Sequence, residues 1–203
     1  AMAVGVAANV PAKTLTEFAT WAKGRGNSGS GASYGSAGEG GSTHLLGALL
    51  TQAMGADMTH VPYKGAGPAV SDVVAGHISA TLQPLGTLLT QARAGKLRII
   101  ATSGKTRSPF VPEVATFAEQ GFPELTVEEW FGFHAPAKTP ANVVAAANAA
   151  INAAIKDRAV IDSLTVVGLI PYGGSADDMA RSQKAEFDRW GPLIKTIGFT
   201  AES

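Results

Sequence analysis

Short apolar runs alternate with longer helix-forming stretches through the first hundred residues, and Gly or Pro stands at nearly every junction. Short strand-like stretches, most of them apolar, predict strands at residues 4–10, 33–36, 58–61, 77–82 and 97–102, and the longer stretches between them predict helices at 14–23, 43–54, 68–76 and 85–94. Thr14 and Glu17 have the spacing of a capping box at the start of the first helix. Strands that alternate with helices form a mostly parallel sheet with helices on its faces. The sequence therefore predicts an α/β fold.

The last third of the sequence is mainly helical. It predicts a short helix at 114–120, helices at 139–157, 158–167 and 175–197, and strands at 126–134 and 170–172. We expect Trp130, Phe131 and Phe133 to contribute core side chains from the longer strand, and Ser175 to cap the last helix. The change from repeated strand–helix units to helices, near Pro136, marks a candidate domain boundary.

Composition excludes several kinds of partner. Sixteen Lys and Arg balance sixteen Asp and Glu, whereas nucleic-acid binding needs a concentrated basic excess, so we expect no nucleic-acid partner. The absence of cysteine excludes disulfides and thiolate metal sites. The longest apolar runs are far shorter than the ~20 residues of a membrane helix. The first residues also lack the basic start and long apolar run of a signal peptide.

The segment between residues 34 and 45 has the composition of an anion-binding turn. It is rich in Gly and Ser and leads from a predicted strand into the helix that starts at Thr43. Small residues let the backbone approach a ligand, and the free N–H groups and positive dipole end of a helix start attract negative charge. The hydroxyls of Ser36, Ser42 and Thr43 add donors. An ordinary Gly-rich turn with a Ser/Thr cap has the same sequence, so both interpretations stay open.

A second polar turn, at residues 61–65, follows the next predicted strand. Ligands of open α/β sheets collect at the carboxyl ends of the strands. Lys64 could supply a countercharge there and Tyr63 a wall, although a solvated lysine is the commoner case. His44 lies in the first turn of its helix, where a capping or ligand-contact role suits it.

Metal binding is not predicted. The four histidines, His44, His60, His77 and His134, have no paired spacing that would place two ligands on one helix face. A metal site would have to rest wholly on tertiary contacts between them.

Two enzyme motifs match only as strings of letters. Residues 31–35 match the Gly-x-Ser-x-Gly elbow around Ser33, but no apolar strand precedes the serine and no helix follows it at once. Residues 24–29 match the dinucleotide fingerprint, but they follow a helix instead of a strand. We expect a binding protein that is not an enzyme. A hydrolase or transferase acting on a small anion through the Gly/Ser-rich turn is the alternative, and an interaction module without a small-molecule site is the third.

The two polar turns resemble those of the substrate-binding proteins of tripartite tricarboxylate transporters, the Bug/TctC type. The similarity continues through residues 60–67, 94–98, 107–109, 112–114, 117–121 and 130–140, and through the last helix with Glu186, Arg189 and Trp190. In order and spacing it covers nearly the whole chain.

This resemblance implies a periplasmic receptor of the Venus flytrap type, with two α/β domains and a ligand between them. It implies that the protein binds a small carboxylate reversibly, needs no cofactor, and delivers the ligand to membrane transporter subunits. Carried over by motif, the ligand-binding residues are Ser36, Ala37, Gly38, Gly40, Gly41, Ser42, Thr43, His44, Tyr63, Lys64 and Gln83. We call residues 36–44 the 36–44 segment.

The start of the chain departs from the family pattern, which begins with a strand and a Gly-Gly loop from the other side of the cleft. The resemblance therefore implies an N-terminally truncated protein. Residues 1–9 would be a crossover strand from an incomplete first domain, residues 10–127 a complete second domain, and residues 128–203 the C-terminal part of the first. We expect such a chain to bind ligand poorly and to associate with itself.

Overall fold

A computed structural model of the chain describes residues 1–26 and 31–196, which form two compact units. The first unit is Ala1–Glu129 and the second begins at Trp130. Of the helices in the described residues, none is both long enough and apolar enough to cross a membrane. The dinucleotide-like string at residues 24–29 lies partly outside the described residues.

The first unit is a five-stranded sheet with helices against it. Its strands are β1 Met2–Ala7, β2 Ala32–Ser36, β3 Met58–Pro62, β4 Ala80–Pro84 and β5 Leu97–Thr102, and its helices are α1 Leu15–Gly26, α2 Ser42–Met54, α3 Ala66–Ala75 and α4 Leu85–Arg93. The strand order is β3-β2-β4-β1-β5. Strand β2 is parallel to β3 and β4, whereas β1 is antiparallel to β4 and β5. Four strands therefore share one direction and β1 runs against them. The α/β fold class is confirmed.

Strand β1 is an interior strand of the sheet, between β4 and β5, and both of its faces are buried. All six of its residues are buried. A strand that is buried on both sides needs a continuous apolar sequence instead of an alternating one, and Met2–Ala7 has it. The register pairs Ala3 with Gln83 of β4 on one side and with Thr102 of β5 on the other.

Two glycines let helices approach the sheet closely beside β2. A Cβ on Gly47 of α2 would overlap the ring of Tyr34, and a Cβ on Gly35 would lie 2.6 Å from Ile78 Cδ1. Both distances are shorter than real Cβ contacts, so a Cβ at Gly47 would displace the Tyr34 ring and one at Gly35 would displace the end of the Ile78 side chain. Helix α2 is thereby held directly against β2, and the turn that joins them is fixed at both ends.

The predicted capping box is present at the start of α1. The Glu17 N–H donates to Thr14 Oγ1 at 3.1 Å, and the Glu17 carboxylate accepts from the Lys13 N–H at 2.7 Å. The prediction of a strand from residue 77 is wrong at its start, because β4 begins at Ala80. Gly76 ends α3 with φ +77°, and residues 77–79 form the turn that follows. The predicted helix at 114–120 is reduced to a single 3-10 turn, Ala118–Gln120, and a second such turn follows at Pro123–Leu125.

The second unit contains three helices, α5 Ala141–Ala154, α6 Arg158–Val166 and α7 Ala176–Thr196, as far as it is described. Ser175 caps α7 as predicted, since the Asp178 N–H donates to Ser175 Oγ at 3.1 Å. The strands predicted at 126–134 and 170–172 are wrong. A strand needs a neighbour for its backbone hydrogen bonds, and no described strand lies in this unit.

The prediction that Trp130, Phe131 and Phe133 are core residues is wrong for the same reason. Their side chains are 37%, 69% and 79% exposed. Without a paired strand, no sheet face turns these rings towards a core. They lie on the surface of the second unit together with other exposed apolar side chains, namely Val143, Val166, Val167, Ile170, Tyr172 and Phe187.

The direction of the strands determines where polar side chains can meet. Because β2, β3, β4 and β5 point the same way, their last residues lie at one edge of the sheet. These residues are Ser36, Pro62, Pro84 and Thr102. Open α/β sheets bind their ligands at this carboxyl edge.

Candidate functional site

The two polar turns predicted from the sequence lie side by side at the carboxyl edge of the sheet. Ser36 and Pro62 are paired residues at the ends of β2 and β3. Beyond the strands, the Tyr63 N–H donates to the Ser36 carbonyl at 3.1 Å and the Gly65 N–H donates to the Ala37 carbonyl at 3.0 Å. The structure therefore joins the 36–44 segment and the 63–65 turn into one surface.

Helix α2 begins in this surface without a side-chain cap. Gly41 is its N-cap, in an extended conformation, and the first helical hydrogen bond runs from the Leu45 N–H to the Gly41 carbonyl at 3.0 Å. The N–H groups of Ser42 and Thr43 have no acceptor among the described residues. Two backbone donors and the positive end of the helix dipole thus remain available to an anion.

Two of the three hydroxyls predicted as donors are already used inside the 36–44 segment. Thr43 Oγ1 accepts from the Ala37 N–H at 3.1 Å, and the Ser36 hydroxyl donates to the Gly38 carbonyl at 3.0 Å. Both side chains are buried, whereas Ser42 is exposed. Ser36 and Thr43 therefore shape the segment, and Ser42 alone of the three presents its hydroxyl to solvent.

Gly40 makes the sharp bend that leads into the helix. Its φ of +70° lies in the left-handed region, where a Cβ is strained. In this conformation its N–H donates to Nδ1 of His44 at 3.0 Å. His44 thus closes the turn by reaching back from the third helical position, as Glu or Gln does in a capping box.

His60 is a functional-site residue that the sequence did not assign to the site. Its ring stacks on that of His44, with centroids 3.8 Å apart and 8° between the planes, and its Nε2 lies 2.7 Å from Ser36 Oγ. The pKa of His60 is lowered from 6.5 to about 4, mainly by burial and also by the neighbouring His44, while Glu39 opposes the shift. Its place on β3 beside β2 brings it there, and only the strand order reveals that neighbourhood.

Tyr63 is held by an acidic side chain from α3. Its hydroxyl donates to Asp72 Oδ2 at 2.6 Å, and Asp72 Oδ1 lies 3.3 Å from Nδ1 of His77. Burial, and then the Asp72 carboxylate, raise the pKa of Tyr63 to about 12. The hydroxyl is therefore already in use, and only the ring can serve as the predicted wall.

Lys64 and Gln83 differ in what they offer at this edge. Lys64 is exposed and pairs with no other described residue. Gln83 is fully buried, and its amide donates to Thr81 Oγ1 at 3.0 Å, while its carbonyl oxygen Oε1 has no partner in the described structure. Gln83 belongs to the interior of the sheet and makes no hydrogen bond to the 36–44 segment.

The remaining sequence candidates for chemistry have ordinary surroundings. Ser33 and Ser79 are hydrogen-bonded to each other, since the Ser79 N–H donates to Ser33 Oγ at 3.4 Å and the Ser33 N–H donates to Ser79 Oγ at 3.3 Å. Within residues 1–26 and 31–196, no three His, Asp or Glu side chains cluster as metal ligands do.

Comparison with a curated protein gives a relative of similar sequence. The chain is 39% identical to the UPF0065 protein in the tcbD-tcbE intergenic region of Pseudomonas sp. strain P51. The similarity extends over 163 residues, which make up 80% of this chain and 48% of that protein. The chain therefore spans about half the length of this relative.

Solved structures share the fold. A protein described as a periplasmic transporter superposes with a TM-score of 0.88 at 38% identity, over 96% of this chain and 64% of the other. Rpa4515 of R. palustris with adipate superposes with a TM-score of 0.88 at 29% sequence identity, over 97% of this chain and 65% of the other. MatC (Rpa3494) of Rhodopseudomonas palustris with bound malate superposes with a TM-score of 0.85 at 28% sequence identity, over 95% of this chain and 66% of the other.

The sequence also matches a family model along nearly its whole length. The matched residues are 1–199, and the model is TctC, the tripartite tricarboxylate transporter family receptor. The match spans both compact units. The chain belongs to the TctC family of tripartite tricarboxylate transporter receptors.

Proposed function

We propose that the chain is part of an extracytoplasmic solute receptor that binds a small carboxylate reversibly at the 36–44 segment. The observation that carries this proposal is the pair of unpaired N–H groups, Ser42 and Thr43, at the start of α2. Two solved relatives of the same fold hold the dicarboxylates adipate and malate, which is the class of ligand that such donors suit.

The chemistry of the segment suits reversible capture. A carboxylate accepts hydrogen bonds from the two N–H groups and the exposed Ser42 hydroxyl, with the Tyr63 ring beside it and Lys64 as a solvated countercharge. Hydrogen bonds to a charged group contribute about 1.5–3 kcal/mol each. A few of them give moderate affinity and allow release, since no buried ion pair has to be broken.

One contact in the site looks like the start of a catalytic dyad. Ser36 Oγ lies 2.7 Å from His60 Nε2, the distance at which a histidine activates a serine nucleophile. However, Ser36 is fully buried, and its hydroxyl proton is donated to the Gly38 carbonyl. A nucleophile has to be reachable by substrate and donate its proton to the base. We therefore propose binding without turnover, and assign Ser36 and His60 to holding the segment.

The cellular setting follows from family membership as a proposal. We place the protein in the periplasm, with membrane transporter subunits as the partners that receive the ligand. We also propose that residues 10–127 form the second of two receptor domains and residues 128–203 part of the first. Residues 1–9 are then the crossover strand between them, which pairs as β1 with β4 and β5 in the sheet of residues 10–127. The rest of the first domain, and the second half of the ligand contacts, would come from sequence that the longer relatives possess.

A thermal-shift screen tests the proposal. Malate, adipate and other small carboxylates, with a matched neutral diamide, are added to this chain and to a version extended upstream. Saturable stabilisation of the extended protein by an acid and not by the diamide is expected, reaching ~2.7 kcal/mol at a hundredfold excess over Kd. The absence of any carboxylate effect, together with turnover of an ester or phosphate substrate, would establish the enzyme alternative instead.

A further inference from the structure

The stacked imidazoles of His44 and His60, here called the histidine pair, join helix α2 to strand β3 at the 36–44 segment. The rings are parallel to within 8° and their centroids are 3.8 Å apart. The two rings contact the segment at different points, His60 at its first residue and His44 at its centre. His44 accepts from the Gly40 N–H at 3.0 Å, and His60 Nε2 lies 2.7 Å from Ser36 Oγ.

The hydrogen-bond partners assign the protons on both rings. Because the Gly40 N–H donates to Nδ1 of His44, that nitrogen carries no proton. The Ser36 hydroxyl donates to the Gly38 carbonyl, so His60 must donate its Nε2–H to Ser36 Oγ. The geometry therefore requires His44 to be neutral with its proton on Nε2, and it gives His60 the same tautomer when neutral.

The groups around the histidine pair favour the neutral state. Tyr34 of β2 lies against His60, with ring centroids 5.0 Å apart, and its hydroxyl contacts the His44 carbonyl at 3.4 Å. Burial lowers the pKa of both histidines, and burial of Tyr34 raises its pKa, so that this neighbour stays uncharged. Glu39 in the segment is the opposing group, since its charge raises the pKa of both rings.

Protonation of the pair would be unfavourable for three reasons. A proton on Nδ1 of His44 would set two donors, the new N–H and that of Gly40, against each other. A charge on this ring would also lie at the positive end of the α2 dipole. A second charge on His60 would stand 3.8 Å away, centroid to centroid.

We propose that the histidine pair positions the 36–44 segment only while both rings are neutral, and that protonation of the pair releases the segment. His44 and His60 are thus positioning residues for the carboxylate site. This inference rests on the proposed function only for its effect on the ligand. The order of the segment itself can be measured without any ligand.

The test is an NMR titration of the ligand-free 203-residue chain between about pH 7.5 and about pH 3, a range that passes through the pKa of about 4 of His60. Side-chain ¹⁵N shifts report the tautomer of each histidine, and the amide signal and hydrogen exchange of Gly40 report the segment. The matched control is His44→Gln, which keeps an acceptor at the third helical position but cannot titrate. His44→Phe keeps an aromatic ring on His60 but has no acceptor.

We expect both wild-type rings to be Nε2–H tautomers at about pH 7.5 and to titrate below the ordinary value of about 6.5. The protection of the Gly40 amide should fall at least ~10-fold as the pair titrates, after correction for intrinsic exchange. In His44→Gln, the protection of the Gly40 amide should not change over the same pH range. In His44→Phe, this amide should be unprotected at every pH. The proposal would be overturned if both histidines titrated with the ordinary pKa of about 6.5, or if the Gly40 amide did not change as they titrate.

A ligand arm separates this inference from the proposed function. Kd for malate is compared between wild type and His44→Gln at each pH, because the acid itself also titrates. A wild-type affinity that falls at least ~5-fold relative to the control supports a link between the pair and the ligand. Equal affinities at every pH overturn that link. If no carboxylate binds either protein, the proposed function fails, while the NMR titration still decides the role of the pair.

Discussion

The hydroxyl of Tyr63 donates a hydrogen bond of 2.6 Å to Asp72, so this residue presents a ring and not a free hydroxyl donor to the proposed carboxylate site. We expect Tyr63→Phe to change the affinity for a carboxylate by less than about twofold, because it removes only a hydroxyl that is already paired. Tyr63→Ala, which removes the wall, should weaken binding clearly. Calorimetric titration of both variants checks this. Loss of binding in Tyr63→Phe would show that the hydroxyl contacts the ligand.

The stability of the first unit should depend on pH through His60. Its pKa is about 4 in the folded protein against 6.5 when unperturbed. Between these values the unfolded chain binds more protons, so the free energy of unfolding falls as the pH falls through that window and levels off below it. We expect a loss of about 1–2 kcal/mol, less than the full shift implies because the ring is partly solvated.

Urea unfolding at about pH 7 and about pH 5, compared between wild type and His60→Phe, measures this dependence. Asp72, Glu119 and Asp178 have lowered pKa values, and their stabilisation is lost only as the pH falls below their ordinary values of 3.8 to 4.5. The raised pKa of Glu129 acts with the opposite sign but equally in both proteins. The same pH dependence in the two proteins would contradict the assignment to His60.

The contact between Gly47 and Tyr34 should make α2 intolerant of a single methyl group. A Cβ at residue 47 overlaps the Tyr34 ring, so Gly47→Ala should destabilise the first unit by about 1–3 kcal/mol. Gly24 in α1 is the matched control, because no atom lies within 4 Å of its added Cβ. Gly24→Ala should stabilise by about 0.5–1 kcal/mol, the usual helix preference for Ala over Gly. Chemical denaturation measures both, and a stabilising Gly47→Ala would refute the close packing.

The exposed aromatic side chains of the second unit should make the chain associate. Phe133, Tyr172 and Phe187 are 79%, 93% and 78% exposed. Exposed apolar surface of this kind favours association between protein molecules. Sedimentation velocity should show concentration-dependent association of the wild type, reduced by replacing Phe133 and Phe187 with Ser. The upstream-extended protein should sediment as a monomer. A monomeric wild type at every concentration would contradict this prediction.

The architecture was largely predictable because it depends on local patterns. The strands of the first unit overlap the short stretches that predicted them, and the capping box at Thr14 and the cap at Ser175 mark real helix starts. The 36–44 segment and the 63–65 turn were predicted to share an edge, since the carboxyl ends of parallel strands lie together. Strand direction was less accessible, because no local pattern in β1 shows that it runs against its neighbours.

The parts that could not be predicted depend on neighbours distant in sequence. Residues 126–134 have the composition of a strand, but no described strand lies beside them in the second unit, so their rings are exposed. His60 becomes a partner of His44 only because β3 lies next to β2. The burial of Gln83 and its hydrogen bond to Thr81 are likewise tertiary properties, which the motif that named Gln83 a ligand candidate does not show.

The central claim is that a carboxylate binds at the start of α2, and the most direct measurement follows the backbone amides of Ser42 and Thr43. Malate and adipate are titrated into ¹⁵N-labelled chain and into the upstream-extended protein. Ser42→Pro removes one N–H at a helical position that tolerates proline, after a Gly41 that is already extended, and Ser42→Ala keeps that N–H.

We expect both amide signals of the wild type to shift and to saturate with ligand. The affinity should be lower for the 203-residue chain than for the extended protein. Ser42→Ala should keep affinity to within a few fold, whereas Ser42→Pro should lose about tenfold or more, the value of one hydrogen bond to a charged group. Shifts confined to other residues, or no shift with any carboxylate in the extended protein, would contradict the account.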